Sequence, residues 1–276
     1  MKSMQYCREI FRSPVTVIRN LYHFRHILYQ MVLREVKGRF VGSVGGLFWH
    51  FIHPILMVLI YLFVFVYIFK LRVGTGGGTG ASAVYLMAGI FPWVIMADGL
   101  SRGTSALIEN ANLIQKTYFP TEILTAKAVI APFLNFGIAL LLLAAFKIAV
   151  DGFWGILLIL PFILLLQVFF TLGIAFFFAA FSVFFRDVLQ VVQIIVSIWV
   201  YVTPIFYQSS MLPAWAVNIM YINPLFPFTS IYHSLFIDGT VGPWRMVGLS
   251  LAWTGTFYLL GSFIFLKLKA EFADWL

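Results

Sequence analysis

The groups able to bind a metal or move a proton are few and scattered. Five histidines, ten acidic residues and one cysteine are spread over 276 residues. A lone Cys7 excludes an internal disulfide and any multi-cysteine metal site. His23, His26 and His233 stand apart from one another's carboxylate neighbours, and no H-x-x-x-H pattern with a nearby acid occurs in an apolar stretch. His50 and His53 share a helix face at i,i+3 spacing, which fits hydrogen bonding or packing better than a metal pair. Asp98 is the best candidate for an intramembrane proton relay, but Arg102 one turn later favours a local ion pair. The glycine-rich run KLRVGTGGGTGASA at 70–83 lacks the G-x-x-x-x-G-K-[ST] order of a phosphate cradle and reads as a flexible external hairpin. No acid–base, nucleophilic or metal centre emerges, so no intrinsic catalysis and no bound cofactor are expected.

The elements that carry these residues are set by composition. Apolar residues make up 62% of the chain, charged residues 10%, and the mean hydropathy is +0.98. A soluble domain runs nearer about 45–50% apolar and about 25% charged, so the bilayer is the natural solvent. Asp, Glu, Lys and Arg are absent from 40–69, 73–97, 128–146, 152–185, 188–237 and 246–266. From these intervals we expect an all-α integral membrane protein with six transmembrane helices near 44–69, 84–105, 123–147, 155–181, 189–207 and 245–266. Regular ten-residue alternation of the β-barrel kind is missing. The net charge of +8 is explained by where it falls. With the N-terminus in the cytoplasm, only Lys70, Arg72, Lys147 and Arg245 of the 18 Lys and Arg lie outside. Both termini then lie in the cytoplasm. Arg8, Arg12, Arg19 and Arg25 precede any apolar core, so the start is not a secretory signal peptide.

This layout divides the chain into a cytoplasmic segment, 1–43, and a transmembrane domain, 44–276. Within the first, Arg19, His23, His26, Gln30, Arg34 and Lys37 share one helical sector, and Val17, Leu21, Phe24, Ile27, Leu28, Met31 and Val32 share another. That pattern predicts an amphipathic helix over 16–37, lying in the membrane interface or packed on a partner. The 103–122 connection predicts a short helix from about Ser105 to Ile114, with Pro120 punctuating entry into the third span. Between spans five and six, 208–244 holds Pro213, Pro224, Pro227 and Pro243 in an apolar context. Short helices near 212–222 and 225–236 are expected there as a re-entrant pair. The chain also holds 31 Phe, 12 Tyr and 8 Trp. Sugar CH faces pack on such rings while Tyr offers hydrogen bonds, which makes Tyr61, Phe65, Trp93, Trp199, Tyr201 and Tyr207 candidate conduit-lining residues.

Four stretches carry a likeness to a known family. REVKGRFVGSVGGLFWHFIHPILM at 34–57 leads a basic stretch into Gly45, Gly46, Leu47, Trp49 and Pro54. ENANLIQKTYFPTEIL follows at 109–124, then FFRD at 184–187 with TPIFY at 203–207, then NPL at 223–225. In this order the chain, from about 20 to 266, resembles the permease subunit of ABC-type polysaccharide exporters, which move O-antigen, capsular polysaccharide or teichoic acid. Thr125 departs from the proline such permeases often carry there. The resemblance implies a type-2 ABC exporter permease fold in the bacterial cytoplasmic (inner) membrane. It implies a homodimer, with two copies of a separate cytoplasmic ATPase that binds ATP and Mg. It places a coupling helix at about 105–120, with Ile108, Asn112, Lys116, Phe119, Pro120 and Glu122 meeting the motor. The re-entrant region, about 208–240, would shape the exit with Trp215, Tyr221 and Phe228. The cargo would be a lipid-linked glycan, with Arg34, Lys37 and Arg39 near its phosphate or a lipid headgroup. An ABC exporter of drugs or small lipids shares the architecture. An ion-coupled carrier would require buried ionisable groups, and a membrane transferase would require a catalytic centre.

Overall fold

The structure is a computed structural model that describes residues 2–38, 52, 55–56, 59–68, 70, 78–152 and 155–276. Every regular element among these residues is helical. Two N-terminal helices, α1 (Lys2–His23) and α2 (Arg25–Gly38), precede a π-helical segment at Leu62–Ile68. Then follow α3 (Thr79–Glu109), α4 (Ala111–Lys116), α5 (Thr121–Asp151), α6 (Leu160–Phe184) and α7 (Val188–Val202). The chain closes with α8 (Ala214–Met220), α9 (Phe226–His233), α10 (Trp244–Leu268) and α11 (Phe272–Trp275).

Among the described residues, four stretches are long and apolar enough to cross a membrane: Thr79–Glu109, Thr121–Ala149, Leu157–Phe184 and Trp244–Trp275. They match four of the six expected spans, 155–181 beginning two residues ahead of its stretch. The fifth expectation, 189–207, meets α7, which has 15 residues. At about 1.5 Å per residue it is shorter than the roughly 30 Å apolar core of a bilayer. Thr203 adopts extended backbone ahead of Pro204, which ends the helix there. Most of the first expected span, 44–69, lies outside the described residues; its 59–68 portion is helical and apolar. The chain is therefore an all-α, multi-pass membrane protein.

The helix α3 is central, packing on α5 and α6, and α6 packs in turn on α10. Small residues set these distances. A Cβ on Gly261 would fall on the carbonyl of Gly173, and one on Gly173 would stand 2.5 Å from the backbone of Phe257. Only glycine allows α6 and α10 to approach so closely. One buried amide joins three helices: Gln167 Nε2 donates to the Pro92 carbonyl (2.7 Å), and Tyr232 OH donates to Gln167 Oε1 (2.7 Å). In an apolar interior these bonds spare each group its desolvation cost.

The expected N-terminal amphipathic helix begins earlier, at Lys2, and breaks only at Phe24. Hydrogen bonds from Phe24 N to Asn20 O and from Leu28 N to Phe24 O carry the helix across the break. The polar sector is exposed as anticipated. The apolar sector, with Val17 and Val32 buried, packs on the chain's own α5 and α10. A second stripe, Phe11, Val15, Ile18, Tyr22 and Tyr29, remains exposed on the same helices.

Candidate functional site

The connection expected to act as one coupling helix is built in two pieces. Residues 105–109 complete α3, where Ser105 Oγ donates to Glu109 Oε1 (2.6 Å). The helix stops at Asn110, whose side chain donates to the Ala106 carbonyl (2.8 Å). Such a local bond competes with helix continuation and explains the break. The short α4 then lies across the end of the bundle against α11. It buries Ile114, half-buries Leu113 and exposes Asn112, Gln115 and Lys116. Residues 117–120 are non-helical, as Pro120 requires of Phe119. Tyr118 is fully exposed, whereas Phe119 packs against the core. The sequence reading overlooked Tyr118 and Gln115, although the exposed phase of 112, 115 and 116 marks the latter.

Two charged groupings brace this end. Glu122 is fully buried, and its carboxylate accepts bonds from Asn20 Nδ2 (3.0 Å) and Lys269 Nζ (2.8 Å to each oxygen). The start of α5 is thus tied to α1 and to the chain just beyond α10. A fully enclosed carboxylate offers no surface of its own to a partner, and Glu122 serves here as an internal tie. In the second grouping, Arg102 bonds Asp98 (2.8 Å) and Glu35 (3.4 Å), and Lys127 bonds Glu35 (3.1 Å). The Asp98–Arg102 ion pair is the one anticipated. Glu35 and Lys127 join it from α2 and α5, partners remote in sequence. These groups keep partial solvent access, so each exposed pair contributes about 0–1 kcal/mol.

The candidate conduit residues divide. Tyr61, Phe65 and Tyr201 converge on Phe206, with ring centroids 5.5, 4.5 and 6.2 Å from it. Tyr207 adjoins them, its hydroxyl donating to the Tyr201 carbonyl (3.1 Å). Trp199 is engaged elsewhere: Nε1 donates to Asn223 Oδ1 (2.8 Å), and Asn223 Nδ2 donates to Thr203 Oγ1 (3.0 Å). That linkage gives the NPL run a structural role, binding the end of α7 to the start of α9. Trp93 is separate from the aromatic group. It lines a cleft of about 620 Å³ with Asp98, Arg102, Glu109, Phe136 and Gln193. Its Nε1 is buried without a hydrogen-bond partner among the described residues. Along α7, Gln190, Gln193, Ser197 and Tyr201 form one exposed stripe. Amides facing hydrocarbon are costly, so this face suits a wet or protein-covered surface.

The remaining candidates are placed as follows. Trp215 is exposed on α8, and Tyr221 is capped by Arg245, 3.9 Å above its ring. Phe228 is fully buried against Phe170, ring centroids 5.0 Å apart. Any part it has in the exit region would be played from within the core. Arg34 and Lys37 are exposed on α2, and Arg39 lies outside the described residues. Among the described residues no group of three or more His, Cys, Asp or Glu could hold a metal ion.

Comparison with known proteins agrees with this architecture. The family model described as "ABC-2 type transporter" matches residues 27–237. The chain is 26% identical over 264 residues to the O-antigen export system permease protein RfbA of Myxococcus xanthus, covering 94% of this chain and 99% of that one. A Klebsiella pneumoniae protein of the same description is 29% identical over 261 residues, covering 92% and 96%. Together with the apolar helical bundle, the match over most of the chain establishes that this protein is a membrane permease belonging to the ABC-2 type transporter family.

Proposed function

We propose that this chain is the permease of an ATP-driven exporter moving a lipid-linked polysaccharide out across the bacterial inner membrane. The reading is carried by the likeness, along nearly the whole chain, to permeases described as O-antigen export proteins. The geometry supports it: an aromatic group around Phe206 and a polar stripe on α7 offer rings and amides to a sugar chain without gripping it. Two copies face each other with the conduit between them. Each copy crosses the membrane six times, has both termini inside, and uses residues 208–240 as a re-entrant pair at the exit.

A separate ABC ATPase, two copies per dimer, supplies the energy and binds the ATP and Mg. The exposed residues Asn112, Gln115, Lys116 and Tyr118 form the seat for it, with Ile108, Phe119 and Pro120 shaping the seat from behind. Motor closure moves α4, and the Glu122 and Lys127 ties pass that movement to α1, α2 and α10. The exposed stripe from Phe11 to Tyr29 lies in the acyl boundary, and Arg34, Lys37 and Arg39 meet phosphate on lipid or cargo. Coupling requires the cargo to bind the two conduit states differently. Co-expression with the ATPase and affinity purification test this division of labour. The expected product is a two-plus-two complex whose ATPase activity rises with lipid-linked glycan, while the permease alone hydrolyses no nucleotide. Hydrolysis by the pure permease would contradict it.

A further inference from the structure

A pocket of about 320 Å³ lies near the start of α3, far along that helix from Glu109 and the charged groupings. It is walled by residues 204–210, by α9 and by the π-helical turn Ser234–Asp238. Gln208, Ser209, Ser230, Ser234 and Asp238 line it. Among the described residues, none of these five side chains hydrogen-bonds to another protein group. One side of the pocket is rigid. Tyr85 and His233 stack with ring centroids 3.8 Å apart, and Tyr85 OH donates to the Tyr207 carbonyl (2.9 Å). Gly89 makes room for this stack, since a Cβ there would stand 2.8 Å from His233 Nε2.

The lining decides what such a pocket holds. Four serine hydroxyls (Ser210 being the fourth), an amide and a carboxylate present both donors and acceptors, beside a stacked aromatic pair. No Lys or Arg lines it, and Asp238 opposes anions, so a phosphate is disfavoured. One carboxylate is too few for a cation cage. An acyl chain would strand the polar walls without partners. Its volume lies at the small end of ligand pockets, suited to one or two sugar rings rather than a long chain. A neutral polyhydroxyl ring satisfies donors and acceptors together and packs its CH face on Tyr85.

The geometry points to a carbohydrate-binding pocket at Gln208, Ser230, Ser234 and Asp238, which holds a sugar unit of the chain after it emerges on the outer side. This rests on the glycan-export reading and on the orientation that puts Glu109 inside. Binding at the exit makes return of the chain into the conduit less favourable, and it must be weak so that export continues. The test is saturation-transfer NMR on the full-length permease in nanodiscs, with methyl glycosides of mannose, glucose, galactose and rhamnose as probes. At least one glycoside is expected to bind in the millimolar range. The Ser230→Ala/Asp238→Asn double variant should weaken it at least fivefold while remaining monodisperse, and Ser230→Trp, which fills the pocket, should abolish it. No binding of any probe to the wild type, or equal binding by wild type and both variants, would overturn the pocket. ATP-driven export by wild-type vesicles, measured in parallel, separates the two ideas. Export without sugar binding removes the pocket and leaves the transport reading standing. Sugar binding lost in both variants supports the pocket whether or not the vesicles export, and absence of export counts against the transport reading.

Discussion

The tie at Glu122 predicts an asymmetry that a simple count of contacts does not. Lys269 keeps about a third of its side chain in solvent, whereas Glu122 has none. Removing the lysine strands a carboxylate whose one remaining side-chain partner is Asn20. Stranding a buried charge costs about 3–5 kcal/mol. Replacing Glu122 by the isosteric glutamine leaves a lysine that can turn to water, and the lost bonds amount to about 1–2 kcal/mol. Lys269→Met should therefore destabilise more than Glu122→Gln, by on the order of 5–10 °C in thermal midpoint. Adding Glu122→Gln to Lys269→Met should restore part of the loss. Thermal unfolding of detergent-purified protein at one fixed scan rate, run as a double-mutant cycle, measures this. Equal effects of the two single changes, or additivity within about 0.5 kcal/mol, would refute the reasoning.

Two further outcomes follow from the same geometry. Gly261→Ala drives a methyl into the Gly173 carbonyl and should cost about 3 kcal/mol, read as lost monodisperse yield, whereas Gly255→Ala, with open space around it, should be neutral. In a Cys7→Ser background, Asn112→Cys should react with an impermeant maleimide only after cells are opened, and Thr240→Cys should react in intact cells.

Local pattern carried much of this architecture. Charge-free intervals located the four long helices because lipid tolerates few ionisable groups, and the polar sector at Arg19 to Lys37 appeared as drawn. Pro120 ended one element where its ring forbids helix in the preceding residue. What escaped were contacts between residues distant in the chain. Glu122 was expected only as a coupling residue, and its buried bond to Lys269, 147 residues later, has no local signature. Trp93 is aromatic like Tyr61 and Phe65, but α3 turns it into a different cleft. Phe228 sits in an apolar run whose local pattern does not show its packing on Phe170. The split at Asn110 was local, yet an asparagine bonding back to Ala106 is one of several conformations its side chain allows.

The most direct test of the central claim is reconstitution of this chain with its ABC ATPase in sealed vesicles, lipid-linked glycan being supplied on the motor side. The account predicts ATP-dependent appearance of glycan on the opposite face, scored by a membrane-impermeant lectin. It also predicts loss of that signal when Asn112, Lys116 and Tyr118 are all replaced by alanine, with the complex still assembled at high protein concentration. Glycan crossing at the same rate without ATP, or no crossing with a fully assembled complex, would contradict it.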